Sequence, residues 1–103
     1  MAIKKRNSEE WSKKCRRLLD IWNTKYQAIL KLDKNAGPKD SEKIVAMHAY
    51  LKKVNHAINL IYTSLPEGKY KGGLETDVEI NNQLLGKIER IVERHRPKKF
   101  NKA

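Results

Sequence analysis

Residues 41–65 read SEKIVAMHAYLKKVNHAINLIYTSL, and this stretch decides the fold. Its apolar residues recur at steps of three and four, which is the spacing of a helix and not of a strand. They form one broad face, which comprises Ile44, Met47, Leu51, Val54, Ile58, Ile61, Tyr62 and Leu65. Ala46, Tyr50, Ala57 and Leu60 lie at or beyond the edges of this face. Because the apolar arc is wider than one neighbouring helix can cover, we predict a central helix that packs against two others.

Two further amphipathic helices are predicted, over residues 8–32 and 76–96. The apolar stripe of the first comprises Trp11, Cys15, Leu18, Leu19, Trp22, Tyr26 and Ile29. The apolar stripe of the second comprises Ile80, Leu84, Leu85, Ile88, Ile91 and Val92, and His95 falls on the same side. Three long helices with two connections of moderate length predict a single all-α domain, folded as an up-down-up bundle. Residues 1–7 and 97–103 are predicted to be a flexible basic arm and a flexible basic tail.

The chain has a formal net charge of +11, and the excess is concentrated towards its two ends. Residues 1–34 contribute +6 and residues 94–103 contribute +5, whereas residues 76–93 contribute −2. Such a surface favours a polyanionic partner, and nucleic acid is the simplest one. The other interpretation is a highly soluble surface without such a partner. Lys outnumbers Arg among the 23 basic residues, so we expect contact with the phosphate backbone and weak sequence preference.

Two groups of residues are the candidate contacts to nucleic acid. The first group is basic and comprises Lys4, Lys5, Arg6, Lys13, Arg16, Arg17, Arg94, Arg96, Lys98 and Lys99. The second is the segment GKYKGG at residues 68–73, with Lys69, Tyr70 and Lys71. Its glycines allow backbone N–H groups to approach a phosphate, and its tyrosine can stack on a base. The alternative interpretation of this segment is a mobile connection between two helices.

Residues 90–95 read RIVERH, which resembles the R-x4-H pattern of HEPN ribonucleases. The resemblance covers these six residues. It implies an all-α protein, often dimeric, in which His95 acts as the acid or base and Arg90 holds the phosphate. On an ideal helix the two side chains project about 140° apart. His95 also falls on the apolar side of the helix, where a role in the core is the alternative interpretation.

Cysteine usage and hydropathy restrict the compartment. Cys15 is the only cysteine, so an internal disulfide is excluded, which is typical of a reducing compartment. Its cationic neighbours favour a lowered thiol pKa, but its place on the tryptophan stripe predicts a buried, inert thiol. No apolar run has transmembrane length and no secretory signal is recognisable, so we expect a cytoplasmic protein without a membrane partner. No cofactor or metal site is predicted, since His48 and His56 lie two turns apart on the polar edge of the central helix.

The sequence therefore predicts a small non-enzymatic nucleic-acid-binding accessory protein, of the kind that phages and plasmids encode, acting on DNA or RNA. The alternative is a protein-interaction module, an inhibitor or an assembly subunit, whose basic face docks on an acidic partner protein. A ribonuclease similar to the HEPN proteins is the third hypothesis. A homodimer is compatible with all three.

Overall fold

The computed structural model of the protein describes residues 3–34 and 38–95, and it confirms an all-α helical bundle. A short 3-10 helix at Lys5–Asn7 precedes four α-helices: α1 (Ser8–Lys34), α2 (Pro38–Ser64), α3 (Lys69–Gly72) and α4 (Glu75–His95). The long helices α1, α2 and α4 correspond to the three predicted ones. No strand occurs within the described ranges. The helical turn α3 lies in the connection between the second and third predicted helices.

The helices α1 and α2 pack antiparallel along an apolar interface. Two side chains of α1 also donate hydrogen bonds to carbonyl oxygens of α2. The Trp22 indole donates to Leu51 at 3.0 Å, and the Cys15 thiol donates to Ile58 at 3.8 Å. The donors are seven residues apart on α1, and the acceptors are seven residues apart in the opposite direction on α2. Both donors are 0% exposed, which confirms the predicted core face of α1.

The helix α4 packs on another side of α2, and here polar side chains pair across the interface. The amides of Asn59 and Asn82 donate to each other's oxygens at 2.9 and 3.1 Å. Asn81, which is buried, donates to the Asn55 oxygen at 2.6 Å. Burying an amide is costly unless it is hydrogen-bonded. We infer that these two amide pairs fix the register of α4 on α2.

The helices α1 and α4 run parallel, and ion pairs of opposite polarity join them near both ends. Arg16 of α1 contacts Asp77 of α4 at 3.1 Å, whereas Asp33 of α1 contacts Arg94 of α4 at 2.8 Å. Each pair has a sequence separation of 61 residues. The two helices therefore stay in step over about 26 Å of helical rise, and the chain direction is up-down-up.

Some positions differ from the predicted core. Ile80 was predicted to be in the α4 stripe but is 47% exposed, because it lies at the rim of the groove between α1 and α4. His48 was predicted on the polar edge of α2 but is buried, because α4 covers that edge and brings Glu89 to 3.7 Å. Trp11 is half-buried, with the Lys14 ammonium 4.7 Å from its ring centroid.

The basic arm is folded onto the bundle from Ile3 onwards. Ile3 is buried, and its N–H group donates to the Ser64 carbonyl at the end of α2 at 3.4 Å. The next residues form the 3-10 turn, and the Ser8 hydroxyl donates to the Lys4 carbonyl at 3.3 Å. The prediction of a loose arm does not hold for residues 3–7, because an apolar residue ahead of the basic run anchors it.

Candidate nucleic-acid interface

The N-terminal turn and the segment at residues 68–73 meet at one end of the bundle. Lys5 and Ser8 from the first line a common pocket with Gly68, Lys69 and Tyr70 from the second. Two stretches that were predicted separately as contacts to nucleic acid therefore share one surface. We call this surface the basic end, and it comprises Lys4, Lys5, Arg6, Lys69 and Tyr70.

Gly68 produces the turn that brings the second stretch into place. Its φ of 149° lies in the region that favours glycine. The chain then forms a helical turn, in which the Gly72 and Gly73 N–H groups donate to the carbonyls of Gly68 and Lys69, both at 2.9 Å. These N–H groups are used within the turn, so the structure corrects the expectation that they approach a phosphate. The side chains of the segment remain as candidate contacts.

Ion pairs divide the predicted basic contacts into two classes. The first class is paired with carboxylates of the protein itself at 2.8 to 3.3 Å: Lys13 with Glu9, Arg16 with Asp77, Lys71 with Glu67 and Arg94 with Asp33. Arg16 also donates to the Gly73 carbonyl at 3.0 Å and so ties α1 to the end of α3. Exposed pairs of this kind are weak. They nevertheless reduce the positive charge that these four side chains present to a phosphate.

The second class forms no ion pair with any residue in 3–34 or 38–95, and it comprises Lys4, Lys5, Arg6, Arg17 and Lys69. All five are exposed. Four of them belong to the basic end, and Arg17 lies on the outer face of α1. The Lys69 ammonium is 5.1 Å from the ring centroid of Tyr70. Unpaired cations of this kind are the ones that exchange counterions with a phosphate backbone.

The other predicted contacts are not at the basic end. Arg94 lies at the opposite end of the bundle, at the C-terminus of α4, where Asp33 holds it. Arg96, Lys98 and Lys99 lie outside the described residues. The predicted set therefore does not form a single surface within the part of the chain that the structure describes.

Sequence reasoning missed a polar cluster at this opposite end, where His95 joins all three long helices. Its Nε2 atom lies 2.9 Å from Asp33 Oδ1 on α1, and its Nδ1 atom lies 3.0 Å from Ser41 Oγ on α2. A neutral ring that carries its proton on Nε2 donates to the carboxylate and accepts from the hydroxyl. Only the convergence of three helix ends creates this cluster, so periodicity within one helix does not indicate it.

The order Ser41–His95–Asp33 resembles an acyl-transfer triad, with the two ring nitrogens exchanged. In that template Nε2 faces the serine, whereas here Nδ1 does. For the R-x4-H hypothesis, the structure places His95 against Asp33 and Ser41, while Arg90 is exposed on α4. We interpret the cluster as a structural contact that holds α1, α2 and α4 together at this end of the bundle.

The thiol of Cys15 is buried within the α1–α2 interface. Burial raises its pKa to about 11, and this outweighs the Arg16 charge, which lowers the pKa. The thiol therefore stays protonated at neutral pH, as expected of an inert core cysteine. Within residues 3–34 and 38–95, no group of three His, Cys, Asp or Glu side chains is arranged to hold a metal ion.

None of the helices in the described ranges combines the length and the apolar character that a membrane crossing requires. The chain matches no protein-family model, and comparison with curated proteins and with solved structures finds no similar one.

Proposed function

We propose that the protein is a small non-enzymatic nucleic-acid-binding accessory protein that contacts the phosphate backbone through the basic end. The observation that supports this best is the meeting of two separate basic stretches beside Tyr70, in which Lys4, Lys5, Arg6 and Lys69 form no ion pair with any described residue. The net charge of +11 adds long-range attraction to any polyanion. Lysine ammonium groups are point charges that recognise phosphate without reading bases, so sequence preference is weak.

The dependence of affinity on salt gives a quantitative expectation. If the four lysines and arginines of the basic end and Arg17 each contact a phosphate, five contacts release counterions. The slope of log affinity against log salt is then about −4 to −5 for duplex DNA and about −3.5 for a single strand. Fluorescence anisotropy with labelled DNA and RNA between low and physiological salt measures this slope.

A matched pair of variants locates the interface. The triple change Lys4→Glu, Lys5→Glu and Arg6→Glu reverses charge at the basic end. The control reverses the same amount of charge on α2, at the exposed residues Lys43, Lys52 and Lys53. We expect the first variant to lose more than tenfold in affinity and about three in the magnitude of the salt slope, and the control to lose much less. Equal losses contradict a site at the basic end.

An interaction with an acidic partner protein is the second candidate function, and the outer face of α2 favours it. Tyr50 is 45% exposed and Leu60 is 43% exposed on this face. The sequence from 44 to 64 contains no Asp or Glu, and the Lys25 ammonium lies 5.9 Å from the Tyr50 ring centroid. A partner that buries these apolar side chains would carry acidic residues around them. Failure of the protein to bind any nucleic acid at low salt favours this candidate.

We also propose that the protein acts in the cytoplasm, as an accessory protein of a phage or plasmid. A single buried thiol suits a reducing compartment. A chain of 103 residues with a net charge of +11 suits a factor that works through charge and shape. Expression with a fluorescent tag in a bacterial host tests whether the protein co-localises with nucleic acid.

A further inference from the structure

We propose that the pocket between the N-terminal turn and α3 binds one unpaired nucleobase, so that the preferred ligand is a single strand. This inference rests on the proposed function and adds the class of nucleic acid. The pocket has a volume of about 180 Å³. That is smaller than the roughly 300 Å³ at which sites for drug-sized ligands begin, and it suits a single ring system.

The walls of the pocket are suited to a flat, uncharged ring. Tyr70 and Pro66 provide apolar surface, and Tyr70 is only half-buried, so part of its side chain is accessible to a ligand. Aromatic side chains stack on bases without regard to sequence, because every base has a π-face. Gly68 contributes no side chain to the lining, and a Cβ atom added there would have no neighbour within 4 Å.

The charges around the pocket separate a place for a base from places for phosphates. Glu67 is part of the lining, and its carboxylate, although paired with Lys71 at 3.3 Å, disfavours a phosphate inside the pocket. Lys5 and Lys69 also contribute to the lining, and neither forms an ion pair with a described residue. A base that stacks on Tyr70 therefore brings its two flanking phosphates towards ammonium groups. The Lys69 ammonium lies over one face of the Tyr70 ring, 5.1 Å from its centroid, so a base must stack on the other face or displace the ammonium towards a flanking phosphate.

A base within a duplex does not reach such a pocket. Its faces are covered by neighbouring base pairs, and it must be unpaired and unstacked before it can enter a protein pocket. The bases of a single strand are already unpaired, so moving one into the pocket costs less free energy. The pocket thus favours single-stranded DNA or RNA over a duplex that presents the same number of phosphates.

The test compares a single strand with the same strand made abasic, which keeps the phosphates and removes the bases. Fluorescence anisotropy with the full chain measures both affinities, together with that of the duplex. We expect wild-type protein to bind the intact strand about tenfold or more tightly than the abasic strand. Tyr70→Ala should abolish this difference, whereas Tyr70→Phe should retain it. Tyr70→Ala should weaken binding to the duplex much less than binding to the intact single strand, because the bases of a duplex stay stacked.

Two further measurements keep the test decisive. Photocrosslinking of a strand that contains bromouracil, followed by mass spectrometry, should place the crosslink at Tyr70. Thermal unfolding should show that both Tyr70 variants are folded, and if Tyr70→Ala is not, Tyr70→Phe and the crosslink decide. Equal binding of intact and abasic strands, or a crosslink elsewhere, overturns the base pocket but leaves the phosphate interface intact. Absence of salt-dependent binding to any strand overturns the proposed function itself.

Discussion

The indole N–H group of Trp22 donates to the main-chain carbonyl oxygen of Leu51 at 3.0 Å, in the middle of the α1–α2 interface. The ring is 0% exposed, and it stacks on Tyr26 with centroids 5.5 Å apart and planes at 18°. One side chain thus fills the core and satisfies its only polar group there, which is the usual condition for burying a tryptophan.

The first prediction concerns this residue. Trp22→Ala should lower the free energy of unfolding by about 3–5 kcal/mol, because it leaves a large cavity. Trp22→Phe should cost less, about 1–2 kcal/mol, because it keeps most of the apolar bulk and loses the hydrogen bond. Urea denaturation followed by circular dichroism measures both values. A loss below 1 kcal/mol for the alanine variant would contradict the packing of α1 on α2.

Two glycines provide a matched pair of substitutions with opposite signs. Gly86 lies within α4, and a Cβ atom added there would have no neighbour within 4 Å, so Gly86→Ala should stabilise the protein by about 0.5–1 kcal/mol. Gly68 is equally open, but its φ of 149° is strained for any other residue. Gly68→Ala should therefore destabilise by about 1–2 kcal/mol. Thermal unfolding of the two variants beside wild type tests the prediction, and a shift in the same direction for both would refute the assigned backbone conformation at residue 68.

The third prediction is a loss of stability at alkaline pH through Cys15. Its pKa is raised by burial from 9.0 to about 11 in the folded protein. Between these values the unfolded chain loses the thiol proton and the folded chain keeps it, so stability falls as the pH rises. The full contribution is present below about pH 9 and is lost by about pH 11, and it amounts to about 2–3 kcal/mol.

The control for this effect is Cys15→Ala, which has no thiol to ionise. Denaturation series at pH 8 to 11 should show a smaller decline for this variant than for wild type, whatever its stability at neutral pH. An alkylating reagent should also leave Cys15 unmodified in the folded protein and modify it in denaturant. Rapid alkylation of the folded protein at neutral pH would show that the thiol is not buried.

The fourth prediction separates two adjacent arginines. Arg16 contacts Asp77 and donates to the Gly73 carbonyl, whereas Arg17 points to solvent without an ion pair among the described residues. Arg16→Glu should lower stability by about 1 kcal/mol, because it loses an exposed pair and places two carboxylates together. Arg17→Glu should leave stability unchanged and weaken nucleic-acid binding. Thermal unfolding and fluorescence anisotropy on the same preparations distinguish the two roles. If both variants lost the same stability, the contacts of Arg16 with Asp77 and Gly73 would not stabilise the fold.

The spacing of apolar residues predicted the features that depend on one helix alone, such as its buried face. Cys15 and Trp22 recur at helical spacing on α1, and both are buried as expected. His48 was misplaced because its burial depends on where α4 docks, and nothing within α2 encodes that. The pairing of Asn55 with Asn81 was missed for a related reason, since the pattern that finds a core counts apolar residues only.

The candidate site also has features that the sequence showed and features that it did not. The composition of the two basic stretches was visible in the sequence. The sequence did not show that the two stretches lie side by side, because this depends on the turn at Gly68 and on the anchoring of Ile3 near the end of α2. Internal pairing of Arg16 and of Arg94 was equally hidden, since both partners lie 61 residues away along the chain.

The two flanks of α2 differ in chemistry, and we expect this difference to set the order in which the helices separate. Both flanks bury apolar residues, among them Ile88 and Val92 of α4, but the α4 flank also depends on amide pairs, whose hydrogen bonds water can replace. We expect the main-chain amide hydrogens of α4 to exchange with deuterium sooner than those of α1 and α2. The helical hairpin of α1 and α2 is then a cooperative unit that stays folded when α4 separates from it. Brief excursions of this kind would expose the inner faces of Asn55 and Asn59 to solvent many times before the chain unfolds globally.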